Sequence, residues 1–290
     1  MAAGHSDTFH HVRDFAHFDL PTGLQVELPR ILGFQVTKFM LLQLIAVAFL
    51  FFVFRGLAKR AAGGQVVTGR WWNFWESIVI YMRDEVVRPT IGEGHHHDDD
   101  DHDHGHHHEQ QVGHPADKYL PFVLSCFFYV LICNLLGAIP WLGSATGELN
   151  VTIALAFTTF CAVIMYGVRE LGFFRFWMSL APSMELPFLL KIILVPMIWV
   201  IELVGFLIKH AVLAIRLFAN IMGGHTVLGV MLMFIGMAAH QGAVLFWVVT
   251  PASVLGQVGI GLLELLVAFI QAYVFAMLAT LFISASVNPH

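Results

Sequence analysis

The clearest pattern in this chain is a series of long apolar segments separated by short polar ones. Residues 31–54, 118–140 and 149–168 are each long enough to cross about 30 Å of hydrocarbon as a helix. Two later apolar regions, residues 186–235 and 241–284, are far longer than one crossing needs. Each of those two must therefore be broken or strongly tilted. The pattern predicts an all-α membrane protein with about five membrane-embedded helices.

The polar stretches predict the remaining organisation. Residues 1–30 form a mixed polar N-terminal segment, and residues 71–91 combine three tryptophans with charges, which is typical of an amphipathic helix at the membrane interface. Residues 92–114 are rich in His and Asp. That composition favours a disordered, acidic cytoplasmic loop. Residues 118–290 form the membrane core.

Composition agrees with a multispan membrane protein. The chain is 58% hydrophobic and only 12% charged, and its mean hydropathy is +0.74. Basic residues follow the first span, which predicts a cytoplasmic end there, an external N-terminus and a cytoplasmic C-terminus. The beginning of the chain resembles neither a signal peptide nor an organelle transit peptide. We therefore expect a multi-pass protein of the bacterial inner (plasma) membrane.

A few charged residues interrupt the last two apolar regions. Arg216 is the most informative, because a guanidinium keeps its charge and costs roughly 3 kcal/mol at bilayer depth. Glu202, Lys209 and Arg216 are spaced by seven residues and share one helical stripe, with Asn220 close to it. His225 faces the opposite side, roughly 13 Å further along the axis. Such buried charges predict an ion pathway.

A second helix supplies matching polar groups. Glu264 and Gln271 are again seven residues apart and share a face. If the two apolar regions fold back on each other as a hairpin, that face can meet Arg216, Asn220 or His225. A carboxylate that lines a watery cleft there can titrate and relay protons.

The segment RLFANIMGGH, with Glu202 and Lys209 before it and LLELLVAFIQAYVFAML after it, resembles subunit a of the rotary (F-type) ATP synthases. The resemblance covers roughly residues 118–290. It implies a non-catalytic stator subunit that supplies two aqueous half-channels to a ring of c subunits, with an essential arginine between them. It also implies that the last two helices form a strongly tilted hairpin against this c-ring. The implied partners are the c-ring, b-type peripheral stalk subunits, the remainder of the complex and the lipid bilayer.

The resemblance also implies which residues translocate protons, namely Arg216, His225, Glu264, Gln271, Asn220, Glu202 and Lys209. Two departures limit what can be carried over. Many relatives have Pro-x-Ser after the lysine, where this chain has His210 and Val212. Many carry an acid shortly after the asparagine that matches Asn134, where this chain has Gly137. The choice between H⁺ and Na⁺ coupling stays open.

Two other functions stay open on the residues alone. A metal-cation transporter would explain the His-rich loop, whose imidazoles bind divalent metals adventitiously and weakly: His95, His96, His97, His102, His104, His106, His107 and His108. The spans, however, hold no His pair at i, i+4 spacing. An intramembrane hydrolase would need a Ser–His or paired-Asp arrangement, which the spans lack. No phosphate loop, cofactor motif or nucleic-acid signature is present, so we expect no cofactor, no functional metal site and no enzyme activity of the chain alone.

Overall fold

The computed structural model describes residues 17–19, 25–27, 30–31, 34–61, 69–92, 114–139, 143–179 and 188–287. Four short strands come first. β1 (His17–Asp19) pairs antiparallel with β2 (Gln25–Glu27), and β3 (Arg30–Ile31) pairs antiparallel with β4 (Phe34–Gln35). Strands of two or three residues carry no alternating apolar pattern, so the hydropathy of the chain did not predict them.

The first long helix, α1 (Lys38–Ala61), begins later than the predicted span over 31–54. β3 and β4 occupy the start of that apolar stretch. The helix then continues past Arg55, because long basic side chains can reach polar surroundings from a helix end. Lys59 and Arg60 lie in its last turn, where positive charge interacts favourably with the helix dipole.

A shorter helical segment follows, consisting of α2 (Arg70–Tyr81), a π-helical stretch (Met82–Val87) and α3 (Arg88–Gly92). The Trp72 ring packs on Gly56 of α1, where a Cβ atom would lie 2.5 Å from the ring. The guanidinium of Arg60 lies 4.0 Å from the centre of the same ring, in cation–π geometry. These contacts hold α2 against the end of α1.

An ion pair joins α3 to the segment before the next helix. Nε and Nη2 of Arg88 donate to the two carboxylate oxygens of Asp117 at 3.0 and 2.8 Å. This hydrogen bonding lowers the pKa of Asp117 below its ordinary value of 3.8. Gly92 also lies beside the His114 ring. The two ends of the His-rich stretch are therefore held together, while the predicted loop itself and its histidines lie outside the described residues.

Three helices occupy the middle of the chain: α4 (Leu120–Gly137), α5 (Leu149–Leu171) and the short α6 (Phe173–Ser179). Gly172, with φ of +82°, separates α5 from α6 in a conformation that favours glycine. The side chains of Lys118 and Glu170 pair near the ends of α4 and α5.

The last two helices are the longest. α7 (Phe188–Gln241) and α8 (Ala243–Val287) continue unbroken through Pro196 and Pro251. They meet at Gly242, whose φ of +132° only glycine adopts readily. At 1.5 Å per residue, α7 is about 80 Å long and α8 about 68 Å, which is more than twice the thickness of the hydrocarbon.

The chain clusters into two compact units. The first contains residues 1–51, 128–157 and 211–273, and the second contains residues 52–127, 158–210 and 274–290. Buried side chains in the first include Phe39, Leu42, Asn134, Leu217 and Ala272, and those in the second include Val53, Trp75, Phe176, His210 and Phe275.

Within the described residues, α1, α4, α5, α7 and α8 are long and apolar enough to cross a membrane. This confirms the predicted all-α class with five spans. The amphipathic segment over residues 70–92 is helical and is not among the candidate spans. Many large apolar side chains on α7 and α8 are exposed, as expected of a multi-pass membrane protein in contact with lipid or partners.

Candidate functional site

The structure brings His225 and Glu264 together. His225 lies on α7 and Glu264 on α8, and the distance from Nε2 to Oε1 is 3.9 Å. The side chains are 19% and 9% exposed, so both groups are largely shielded. The gap is too long for a direct hydrogen bond and short enough for one water to bridge. Of the three possible partners of the α8 polar face, His225 is therefore the residue that Glu264 meets.

Gly224 makes this approach possible. A Cβ atom at this position would lie 2.9 Å from Oε1 of Glu264 and 3.0 Å from its Cδ. The carboxylate thus occupies the space that any side chain at position 224 would fill. The sequence predicts that small residues in this stretch, including Gly224, let another helix come close, but it does not show which residue of α8 does so.

Arg216 lies on another side of α7. Its side chain is exposed, while Leu213, Ala214 and Leu217 around it are buried. It forms no ion pair with any residue that the structure describes. Arg216 and His225, which are predicted to face opposite sides of the helix, therefore differ in exposure: the arginine is exposed and the imidazole is largely shielded.

The two amides have different surroundings. Gln271 on α8 is 5% exposed, and its Nε2 is buried without a hydrogen bond to any described residue. Asn220, one turn after Arg216 on α7, is half-buried. Gln271 therefore shares with Glu264 the buried side of α8, as their spacing predicted.

Glu202 and Lys209 belong to the second compact unit. Nζ of Lys209 lies 3.5 Å from Oε1 of Glu202, and both side chains are about half exposed, at 54% and 49%. Seven residues separate them on α7, so the long lysine side chain reaches back along the predicted stripe. His210, next in the chain, is buried, and its Nδ1 lies 2.9 Å from the carbonyl oxygen of Phe206.

A buried polar cluster surrounds Asn134. The Thr146 hydroxyl donates to Oδ1 of Asn134 at 2.8 Å, and the Ser144 and Thr146 hydroxyls are 3.0 Å apart. A Cβ atom at Gly137 would lie 2.5 Å from Oγ of Ser144. Any side chain at position 137, acidic or not, would therefore have to displace Ser144.

No group of three His, Cys, Asp or Glu side chains is placed to hold a metal ion within the part of the chain that the structure describes. Among these residues, Cys126 and Cys133 are buried free thiols, whereas Cys161 is exposed. The described residues therefore provide a shielded imidazole–carboxylate pair, a separate exposed arginine and several amides with buried atoms. Such groups hold and release protons or fix water molecules.

Comparison with known proteins agrees with this chemistry. A family model described as "ATP synthase A chain" matches residues 106–284. The ATP synthase subunit a of Chloroherpeton thalassium is 34% identical over 289 residues, which cover 97% of this chain and 76% of that protein. The subunit a of Myxococcus xanthus is 34% identical over 256 residues, covering 88% and 74%. ATP synthase subunit a 2 of Chlorobaculum tepidum is 33% identical over 281 residues, covering 94% and 70%. With its five apolar helices and its paired His225 and Glu264, this multi-pass membrane protein belongs to the ATP synthase subunit a family.

Proposed function

We propose that this chain is the proton-translocating stator subunit of a rotary (F-type) ATP synthase. The observation that carries the proposal is the shielded pair of His225 and Glu264, on helices of which α7 also carries a separate, exposed arginine. The pair offers two groups that can exchange a proton, and the arginine offers a charge that stays fixed.

Protons enter from outside through a first half-channel that contains His225, Glu264, Asn220 and Gln271. The gap of 3.9 Å between the imidazole and the carboxylate suits transfer through one water molecule. Gln271, with a buried amide nitrogen that has no described partner, is suited to hold such a water. The proton then passes to a carboxylate on a c subunit.

Arg216 separates the two half-channels. Its exposed side chain is available to a partner, and its charge attracts a deprotonated carboxylate on the ring and favours proton loss there. A guanidinium does not release its own proton at cellular pH, so it blocks a direct leak between the channels. The ring turns, and the proton leaves to the cytoplasm through a second half-channel near Glu202 and Lys209.

The lengths of α7 and α8 support a steeply tilted hairpin. Two continuous helices of about 80 and 68 Å cannot stand upright in about 30 Å of hydrocarbon. Lying obliquely, they present a long exposed apolar face, on which we place the c-ring.

We place the protein in a bacterial inner membrane, with its N-terminus outside and its C-terminus in the cytoplasm, as the basic residues towards the end of α1 favour. Residues 70–92 lie at the cytoplasmic interface, the following His-rich loop lies in the cytoplasm, and residues 118–290 form the core. The c-ring, b-type stalk subunits and the rest of the complex are its partners. The chain itself is not catalytic, since ATP chemistry needs a phosphate site that its sequence lacks.

Exchange of the paired residues tests the proposal. Membrane vesicles that carry the whole complex would be assayed for ATP-driven proton pumping with His225→Glu, Glu264→His and the double variant. Each single variant should lose pumping because one partner type is missing, and the double variant should regain part of it. Thr226→Ala, an exposed neighbour, is the control and should pump normally. Normal pumping by both single variants in assembled complexes would overturn the proposal.

A further inference from the structure

A stripe of polar residues with shielded side-chain atoms continues along α8 beyond the site already described. Thr250 and Gln257 precede Glu264 and Gln271 at intervals of seven residues. Seven residues of α-helix turn to within about 20° of two full turns, so these four side chains form one stripe. The stripe belongs entirely to the first compact unit.

The neutral members of this stripe share an unusual property. Oγ1 of Thr250, Nε2 of Gln257 and Nε2 of Gln271 are all buried and form no hydrogen bond with any described residue. Nε2 of His225, which faces Glu264, is in the same state. Buried polar side-chain atoms normally have a partner, so a row of such atoms requires an explanation.

The register of the hairpin shows what lies opposite. Gly224 contacts Glu264, and Met231 lies 3.6 Å from a Cβ built on Gly256, so α7 and α8 run antiparallel with matched steps. This register brings Met231 to the level of Gln257. It brings Ala238, which is 2% exposed, to the level of Thr250. On α7, the neighbours at both levels are therefore apolar. Neither side chain donates a hydrogen bond, and the thioether of Met231 is only a weak acceptor.

Helix–helix hydrogen bonding would be the ordinary reason for polar residues in a membrane helix, and it needs a polar partner. Leaving these groups dry and unpaired would destabilise the protein, because unmade buried hydrogen bonds are expensive. Water in a polar, narrow space satisfies such groups and is held by them. Water therefore accounts for all of these atoms at once.

We propose that Thr250 and Gln257 line a hydrated path along which protons travel on α8 from the Gly242 end to Glu264. This inference rests on the proposed function and extends its first half-channel by about 21 Å towards the helix turn. Successive side chains are about 10 Å apart, so they do not pass protons to each other directly. They are positioning residues that hold the intervening water molecules in line.

The direct test is water access. Thr250→Cys and Gln257→Cys would be made separately in the whole complex, in vesicles that allow Ag⁺ to be added from the external side. Ag⁺ should abolish pumping in both variants, because a hydrated ion reaches the thiol along the path. Two controls are the unsubstituted protein, which keeps its native cysteines, and Leu44→Cys, at an exposed apolar position of α1. Both controls should keep pumping.

Polarity is tested by shape-preserving variants. Thr250→Val and Gln257→Met keep the volume of the side chain and remove its hydrogen bonding. Each should slow pumping about tenfold, because one hydrogen bond that positions the water is lost. Gln257→Asn, which retains the amide, should recover part of the rate. If one cysteine variant fails to assemble, the other still reports access on the same stripe.

The path would be overturned by two results together. Ag⁺ would leave pumping by the assembled cysteine variants unchanged, and Thr250→Val and Gln257→Met would pump within twofold of the normal rate. The proposed function would remain standing in that case, provided that the His225 and Glu264 variants still lose pumping. Loss of the path and loss of the proposed function are thus separate results.

Discussion

A substitution at Gly224 tests whether the position of the Glu264 carboxylate, and not only its chemical type, controls proton transfer. Gly224→Ala would place a Cβ atom 2.9 Å from Oε1 of Glu264, whereas ordinary contacts begin near 3.4 Å. The carboxylate must therefore move by about half an ångström. The moving group is the end of a flexible side chain, so assembly should survive. Helix propensity favours alanine over glycine by up to about 1 kcal/mol, which partly offsets the crowding.

The displaced carboxylate should show in proton transfer. Its distance of 3.9 Å from His225 is already at the limit of an ion pair, and an error of 1 Å in a reacting group can reduce a rate by about a hundredfold. A shift of half that size predicts pumping slowed about tenfold in assembled complexes. Gly236→Ala, on the same helix with nothing within 4 Å of its Cβ, should pump normally.

A second variant makes the reasoning refutable. Glu264→Asp shortens the acid by one methylene and so provides the space that the new methyl needs. The double variant Gly224→Ala with Glu264→Asp should therefore lose less pumping activity than the losses of the two single variants added together. Native pumping by Gly224→Ala alone, at native levels of assembled complex, would show that the position of the carboxylate does not limit the proton step.

Three further predictions follow from the structure. Asp117→Asn removes the bidentate pair with Arg88 and should accelerate amide exchange around residues 88–92 several-fold at neutral pH. Because the pKa of Asp117 is lowered, the pair stabilises above about pH 4 and loses its effect as pH falls through that lowered value, so the difference should vanish in acid. Gly223→Leu should leave the subunit folded, since a Cβ there meets nothing within 4 Å, but should block rotation by obstructing ring approach beside Arg216 in a pumping assay. His210→Phe keeps aromatic packing and should change the pumping rate by less than twofold.

Hydropathy predicted the five long helices well because it is a local property with a strong physical cause. In hydrocarbon, backbone groups must satisfy each other within one segment, so a long apolar run becomes a helix. The start of α1 at Lys38 was not predicted, since β3 and β4 depend on pairing between short segments. The continuity of α7 through Pro196 was also open, because only packing decides whether a proline breaks a membrane helix.

The site was predictable where it follows from helical spacing. Seven-residue intervals placed Glu264 and Gln271 on one face, and the opposite facing of Arg216 and His225 followed from the turn per residue. The contact between Gly224 and Glu264 involves two distant helices, and no spacing within one helix can show it. Thr250 and Gln257 carry the same seven-residue signal, but it acquires meaning only once burial and the lack of partners are known.

The most direct test of the central claim is proton movement with Arg216→Ala in vesicles that carry the whole complex. ATP-driven pumping and passive proton leak through the assembled complex would both be measured. Arg175→Ala, an exposed arginine on α6, serves as the matched control. The account predicts that pumping is lost and the leak is raised with Arg216→Ala alone, because the fixed charge that separates the half-channels is gone. Normal pumping with Arg216→Ala would contradict the account.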